Sequence, residues 1–334
     1  MNKKLKSLIQ FIVIVSLTGG LLWLSLHGLT QGKDQNTFDL LLQTWNKADK
    51  FFLWLMAVVA ILSHVLRAQR WRMLLVPSGN FVSLQNSFLS LMIGYLVNLV
   101  VPRGGELSRC YNLFKLEKIP VETSFGTVIV ERIVDVILLF VLIVVSFFVE
   151  WEKLEKFIGK LNLSGGSGGF KIPLWFIILC IAGLVGLVIL FLLRKNEKLK
   201  KLLTGFTEGL LSIFRLKNKS LFIFYSLSIW GLYFLMSYCV LKAFPETDML
   251  GFSAVVSLFA VGSIAMAVPL PGGMGSYHTL VPLVLVILYN LPKQDAVAFT
   301  FIFHAWQTFI LIVIGVLSLL VSYGKLRWSE AKVK

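Results

Sequence analysis

The sequence predicts an all-α polytopic membrane protein with six spanning helices and two re-entrant broken-helix hairpins in an inverted repeat. Three observations carry that expectation. Of the 334 residues, 57% are apolar and only 15% are charged, with a mean hydropathy of +0.82, whereas a soluble domain is about 25% charged. Several apolar runs approach or exceed the roughly 20 helical residues that cross a hydrocarbon core of about 30 Å. Two further apolar runs are each interrupted by Pro and Gly-Gly. A soluble enzyme, a secreted disulfide scaffold and a disordered chain are thereby excluded.

The net charge is +15, from 32 Lys and Arg against 17 Asp and Glu. In a membrane protein this excess reads as topogenic charge on cytoplasmic loops beside anionic lipid, and no nucleic-acid partner is expected. Cys110, Cys180 and Cys239 lack metal-site and Cys-x-x-Cys spacing and read as small packing residues.

Taken in order, Ser7–Leu29 follows Lys3, Lys4 and Lys6 and lacks a small-residue cleavage site, so it reads as a retained first span. Phe51–Leu66 is the second, ending in Arg67, Arg70, Trp71 and Arg72, which read as an interfacial anchor, with phosphate contact by Arg70 as the other option. Ser124–Val149, Pro173–Leu193, Ser220–Val240 and Ala296–Val321 complete the six. Ser87–Val101 stops at Pro102-Arg103-Gly104-Gly105-Glu106. Phe252–Val268 stops at Pro269-Leu270-Pro271-Gly272-Gly273-Met274-Gly275 and resumes to Tyr289.

The charge rule decides how the broken runs sit. If Ser87–Val101 crossed fully, segment 194–219 would lie outside with eight Lys and Arg against two Glu, contrary to the positive-inside bias. With both broken runs re-entrant, the inner segments 1–6, 67–72, 102–122, 194–219 and 325–334 hold 22 of the 32 basic residues. Both termini are then cytoplasmic in a multi-pass protein of the plasma (inner) membrane. Residues 1–334 read as one integral-membrane domain without a soluble domain, with inverted repeats at 51–149 and 220–322. Paired interrupted segments in the two halves point to a transporter's binding site, because irregular backbone at membrane depth must be buried in protein or line a polar cavity.

Two loops look interfacial. In 196–216, Leu199, Leu202, Leu203, Phe206, Leu210 and Ile213 recur at helical spacing beside Lys198, Lys200 and Lys201, as in a helix lying on the inner leaflet. Trp151, Leu154, Phe157 and Leu161 repeat this outside, before a flexible Ser164–Gly169 linker.

The polar residues at membrane depth define the candidate site. Glu131, Arg132 and Asp135 fall about 10–17 Å into a span at 1.5 Å per residue. Each such charge costs at least about 2.5–3.5 kcal/mol there. They form either a buried ion-pair network that fixes helix packing or the wall of an intramembrane polar pathway. At the first break, Arg103 with the amides of Gly104 and Gly105 makes a candidate anion site, extended by Arg109 and Asn98, with Glu106 beside it. The other option is a tight turn with a snorkelling arginine. Pro102, Pro269, Pro271, Gly272, Gly273 and Gly275 form the broken turns. His278 follows the second break, and His304 shares a face with Gln307; both join the candidate polar pathway. No P-loop, metal-ligand spacing or Gly-x-Ser-x-Gly appears, so no cofactor, metal or catalytic residue is assigned and the chain is not expected to be an enzyme.

The motifs Gly94-x-x-x-Asn98-x-x-x-Pro102-Arg103-Gly104-Gly105-Glu106-x-x-Arg109, Glu131-Arg132-x-x-Asp135 and Pro269–Gly275, with Arg67–Trp71, resemble one family. It is the flippase-like family of the lysylphosphatidylglycerol synthase transmembrane region (multiple peptide resistance factor). That family also takes in the membrane part of an archaeal dolichol-linked glycosyltransferase and uncharacterised UPF0104-type membrane proteins. The resemblance spans about residues 10–322. It implies an inner-membrane protein that binds or translocates lipids with anionic headgroups, and it carries importance onto Arg103, Glu106, Arg109, Glu131, Arg132, Asp135 and the Pro-Gly-Gly turn. The family often has an acidic residue where this chain has His278. The aminoacyl-transferase domain of the bifunctional synthases has no counterpart here, so lipid aminoacylation is not carried over. Three readings stay open: a flippase for phospholipids or polyprenyl lipids, a membrane-embedded lipid-modifying or glycosyl-transfer subunit, and a partner of a separate lipid synthase or glycosyltransferase.

Overall fold

The computed structural model describes residues 20, 37–152, 204–205, 207–209 and 211–333. The expected spans Ser7–Leu29 and Pro173–Leu193, Cys180, the Ser164–Gly169 linker, and most of the two expected interfacial helices lie outside the described residues. Among the described residues the structure is helical without strands: α1 Thr37–Lys47, α2 Lys50–Leu75, α3 Leu84–Asn98, α4 Gly104–Glu117, α5 Val121–Val149, α6 Lys219–Ala243, α7 Pro245–Asp248, α8 Phe252–Ala267, α9 Ser276–Tyr289 and α10 Lys293–Val333.

Four described stretches are long and apolar enough to cross a membrane: Lys50–Ser78, Lys219–Ala243, Pro271–Tyr289 and Lys293–Trp328. Helix α5 has 29 residues. Its charges lie in its first half, and residues such as Val136, Ile137, Phe140 and Phe148 face outward beyond them. The second span does not stop at Leu66 as the basic residues suggested. α2 runs unbroken to Leu75, which places Arg67 and Arg70 inside the helix and the protein. The last span is likewise longer, because α10 continues to Val333. The helix α1 was not foreseen, although Phe38, Leu42 and Trp45 fall at helical spacing.

α2 and α6 lie side by side and antiparallel. The Asp49 N–H before α2 donates to the Ala243 carbonyl at the end of α6 at 2.7 Å, and Arg70 late in α2 reaches Ser226 early in α6. Around this pair, α3 packs on α2, α4 and α10, while α8 packs on α6, α9 and α5. The main apolar core lies between α2, α6, α8, α9 and α10, centred on Leu53, Met56, Phe244, Leu258 and Phe299.

α3–α4 and α8–α9 are helical hairpins. Their limbs of 15, 14, 16 and 14 residues are each about 21–24 Å long at 1.5 Å per residue. α3, α4 and α8 are each shorter than a hydrocarbon core of about 30 Å, whereas α9 together with the turn before it, Pro271–Tyr289, is long enough to cross. Ser83 and Asn86 at the start of α3 bond Glu117 at the end of α4, closing the base of the first hairpin. Lys325 of α10 donates to Gln85 and Asn86 at this base. The base of the second hairpin is closed at the other end of the α2–α6 pair, where Ser257 and Tyr289 both donate to the Glu150 carboxylate at the end of α5. The bases of the two hairpins therefore lie at opposite ends of the α2–α6 pair, and their tips meet between them.

The first hairpin closes tightly because its limbs touch through glycine. A Cβ on Gly105 would collide with the Gly94 carbonyl oxygen and stand 2.6 Å from the Asn98 amide. Asn98 Oδ1 accepts from the Gly105 N–H at 2.7 Å, satisfying one of the donors that a helix start leaves open.

Candidate functional site

The two tips enclose a cavity of about 340 Å³. From the first hairpin it is lined by Asn98, Arg103 and Glu106, and from the second by Pro269, Gly272 and Gly273. The long helices add Arg67, Arg132 and His304. Three guanidiniums and one carboxylate thus line this space.

Arg103 sits in the first tip with φ +61°, a left-handed conformation that a side chain rarely adopts. Its Nη2 donates to the Ala267 carbonyl at 2.6 Å, at the end of α8. One hairpin tip is thereby bonded to the other. On the second side, Gly272 turns with φ +56°, and its carbonyl accepts from His304 Nε2 at 3.1 Å. Tyr277 stacks on His304 at 5.0 Å between ring centroids. His278 packs against His304 and Phe301 and accepts from the Gly275 N–H, so it supports the turn and does not line the cavity. Pro271 and Gly275 likewise shape the turn from behind.

Behind the cavity runs a chain of alternating charges. Arg67 donates to Asp135 Oδ2 at 2.6 Å and to the Tyr233 hydroxyl at 2.9 Å. Asp135 Oδ1 accepts from Arg70 at 2.8 Å, Arg70 stands 3.6 Å from Glu131, and Glu131 holds Arg109 at 2.6 Å. Arg109 lies over the Trp71 ring at 4.6 Å, and Trp71 donates to Thr127 at 2.9 Å. Arg132 approaches Asp135 to 3.9 Å from the next turn of α5. Four arginines are held by two carboxylates, and Arg70, Glu131 and Trp71 are fully buried.

This arrangement corrects the reading of Arg67, Arg70 and Trp71 as an interfacial anchor. They form the core of the ion network, because Asp135 and Glu131 compensate guanidiniums that would otherwise have to reach water. Arg72 alone of that group stays near the hairpin base, bonding the Val82 carbonyl. The Gly104 and Gly105 N–H groups, expected at the anion site, instead donate to the Val101 carbonyl and Asn98 Oδ1. The candidate residues outside the turns divide in two. Asn98, Arg103, Glu106, Arg132 and His304 line the cavity, with Pro269, Gly272 and Gly273 of the second turn, whereas Arg109, Glu131 and Asp135 stand behind it.

Among the described residues, some polar atoms in this region are buried without a hydrogen-bond partner, including Glu106 Oε2, His64 Nδ1 and Arg132 Nε. All three residues line the cavity. Buried polar groups are nearly always bonded, so these atoms add to the unsatisfied polarity around the cavity. Among the described residues, no group of His, Cys, Asp and Glu is arranged to hold a metal ion.

The sequence profile of the lysylphosphatidylglycerol synthase transmembrane region matches residues 8–315. The chain belongs to this family. A UPF0104 membrane protein of Methanocaldococcus jannaschii is 26% identical over 292 residues, covering 79% of this chain and 82% of that one. A UPF0104 membrane protein of Methanothermobacter thermautotrophicus is 25% identical over 272 residues, covering 73% and 76%. No solved structure matches the chain. The family is a membrane region without a recognised catalytic domain.

Sequence reasoning missed several cavity residues, His64, Tyr95 and Tyr233 among them. His64 and Tyr233 lie in the apolar runs read as spans, and Tyr95 in the first broken run. His64 and Arg67 are separated by one helical turn, and that pair of polar residues inside an otherwise apolar run was the available clue.

Proposed function

We propose that this protein is a non-enzymatic, flippase-like transporter of the plasma (inner) membrane. It binds a lipid with an anionic headgroup, a phospholipid or a polyprenyl lipid, and moves it between leaflets. The observation that carries this reading is the cavity between the hairpin tips, where Arg67, Arg103 and Arg132 face a single carboxylate. Guanidinium is suited to bidentate contact with phosphate, and water-poor surroundings strengthen each such contact.

The packing supports transport over simple binding. Exchanging α2 with α6, α3 with α8, α4 with α9 and α5 with α10 turns the contact α3–α10 into α8–α5, α2–α3 into α6–α8, and α4–α5 into α9–α10, all of which are present. An inverted repeat of this kind offers two related conformations that open the same central site to opposite faces. In the orientation favoured by the basic residues, both termini are cytoplasmic. Exposed apolar residues beside the tips, Val100, Val101, Met266 and Val268, suit acyl chains that stay in lipid while the headgroup passes.

The test is reconstitution of the purified protein into phosphatidylcholine vesicles with a tail-labelled phosphatidylglycerol. Protein-dependent loss of leaflet protection, with lipid of unchanged mass and a slower phosphatidylcholine analogue, is expected. No leaflet exchange would refute transport, and a product of altered mass would favour a lipid-modifying enzyme.

A further inference from the structure

We propose that Asp135 is a resident anion of the headgroup site, occupying the charge position of the lipid phosphate and being displaced by it. The inference rests on the headgroup reading above and assigns Asp135 a role that packing alone does not require.

Asp135 stands between two sets of guanidiniums. Its Oδ2 takes the Arg67 Nη2 at 2.6 Å and lies 3.9 Å from Arg132, and both arginines line the cavity. Its Oδ1 takes Arg70 at 2.8 Å, and Arg70 is fully buried away from the cavity. One oxygen is therefore held by guanidiniums that line the cavity and the other by the buried Arg70. The other charges around it are Glu131, which Arg70 and Arg109 compensate, and Glu106 across the cavity.

An empty cavity with uncompensated Arg67 and Arg132 would place like charges together at low dielectric. Asp135 cancels part of that charge. A phosphate entering the cavity competes for the same Arg67 and Arg132 nitrogens, while Arg70 keeps hold of the displaced carboxylate. Each headgroup bond then forms as an internal one breaks. The net affinity stays low enough for the lipid to leave again, as transport demands. The same exchange alters the Arg70–Glu131–Arg109 chain, whose last member belongs to the first hairpin, so occupancy of the site bears on the position of that hairpin.

A structural salt bridge and a resident anion predict opposite signs. Asp135→Asn keeps the shape and removes the competing charge. In detergent micelles, the expected result is tighter binding of phosphatidylglycerol by about tenfold or more, the scale of coupling between close charge pairs, with slower dissociation and no change for phosphatidylcholine. Should that variant fail to fold, Asp135→Asn combined with Arg70→Gln removes one charge of each sign and carries the same expectation. On an Arg67→Gln, Arg132→Gln background, Asp135→Asn should add little, because the contested groups are gone. If the wild type prefers phosphatidylglycerol and the folded variants bind it equally or more weakly, the resident-anion role is overturned while the headgroup site stands. If the wild type does not distinguish phosphatidylglycerol from phosphatidylcholine, the headgroup reading itself falls.

Discussion

Arg103 in the first hairpin tip donates to the carbonyl of Ala267 in the second, at 2.6 Å. The two residues are 164 positions apart, and each lies at the end of a limb too short to cross a bilayer. The bond ties the two tips together at the edge of the cavity. It also engages part of the guanidinium expected to meet phosphate, so headgroup binding and tip contact draw on the same side chain.

The backbone at Arg103 sharpens a first prediction. A left-handed conformation costs a non-glycine residue about 1–2 kcal/mol, and the hydrogen bond to Ala267 returns about 0.5–1.5 kcal/mol. Arg103→Gly should therefore change the melting temperature little, whereas Arg103→Ala keeps the strain, loses the bond and should melt lower. Both should lose most phosphatidylglycerol binding, and Arg103→Lys should keep the fold while binding clearly less, for lack of a planar fork. Thermal melts beside lipid titrations of the three variants check this. Equal lipid affinity in all of them would remove Arg103 from the headgroup site.

Glu131 gives a second. It is fully buried and holds Arg109 at 2.6 Å. Glu131→Ala leaves that guanidinium buried without its carboxylate, a change that costs about 3–5 kcal/mol. Replacing both, as Glu131→Leu with Arg109→Met, should recover much of the loss, because an apolar pair avoids the desolvation of both ions. A double-mutant cycle on thermal stability measures the coupling. Additive losses would mean that the pair contributes no specific stabilisation.

The hairpin contact gives a third. Gly105→Ala places a methyl group against the Gly94 carbonyl and the Asn98 side chain. Overpacking of this kind costs about 1–3 kcal/mol, and here it also pushes Asn98 from its bond to the Gly105 N–H. Lower stability and reduced lipid binding together are expected. Wild-type stability in Gly105→Ala would show that α3 and α4 can separate without cost.

The two breaks and the charged run of α5 were legible in sequence, because Pro, Gly-Gly and intramembrane charge each conflict with an apolar helix. A cavity lies where both breaks meet. The partners were not legible. Arg67 and Arg70 look like a helix end when only local charge is read, and the carboxylate that keeps them inside, Asp135, is more than 60 residues away. Arg109 read as an anion ligand because it follows Arg103 at helical spacing. Its actual partner, Glu131, depends on how α4 crosses α5, which no local pattern specifies. The acceptor for Arg103 is a backbone carbonyl, which carries no residue signature at all.

The last prediction concerns orientation. Lys118 caps the base of the first hairpin, and Lys325 of α10 bonds that same base, so Lys118 and the C-terminal end of α10 share a side. Met249 is 90% exposed between α7 and α8, beside the base of the second hairpin at the other end. The positive-inside bias puts the first of these ends in the cytoplasm. On a background lacking Cys110, Cys180 and Cys239, a membrane-impermeant maleimide should label Met249→Cys in intact cells and Lys118→Cys only after permeabilisation. Labelling of Lys118→Cys from outside would mean that the chain crosses at the first break. The two tips would then not enter from opposite faces, and the alternating access proposed for the central cavity would fall.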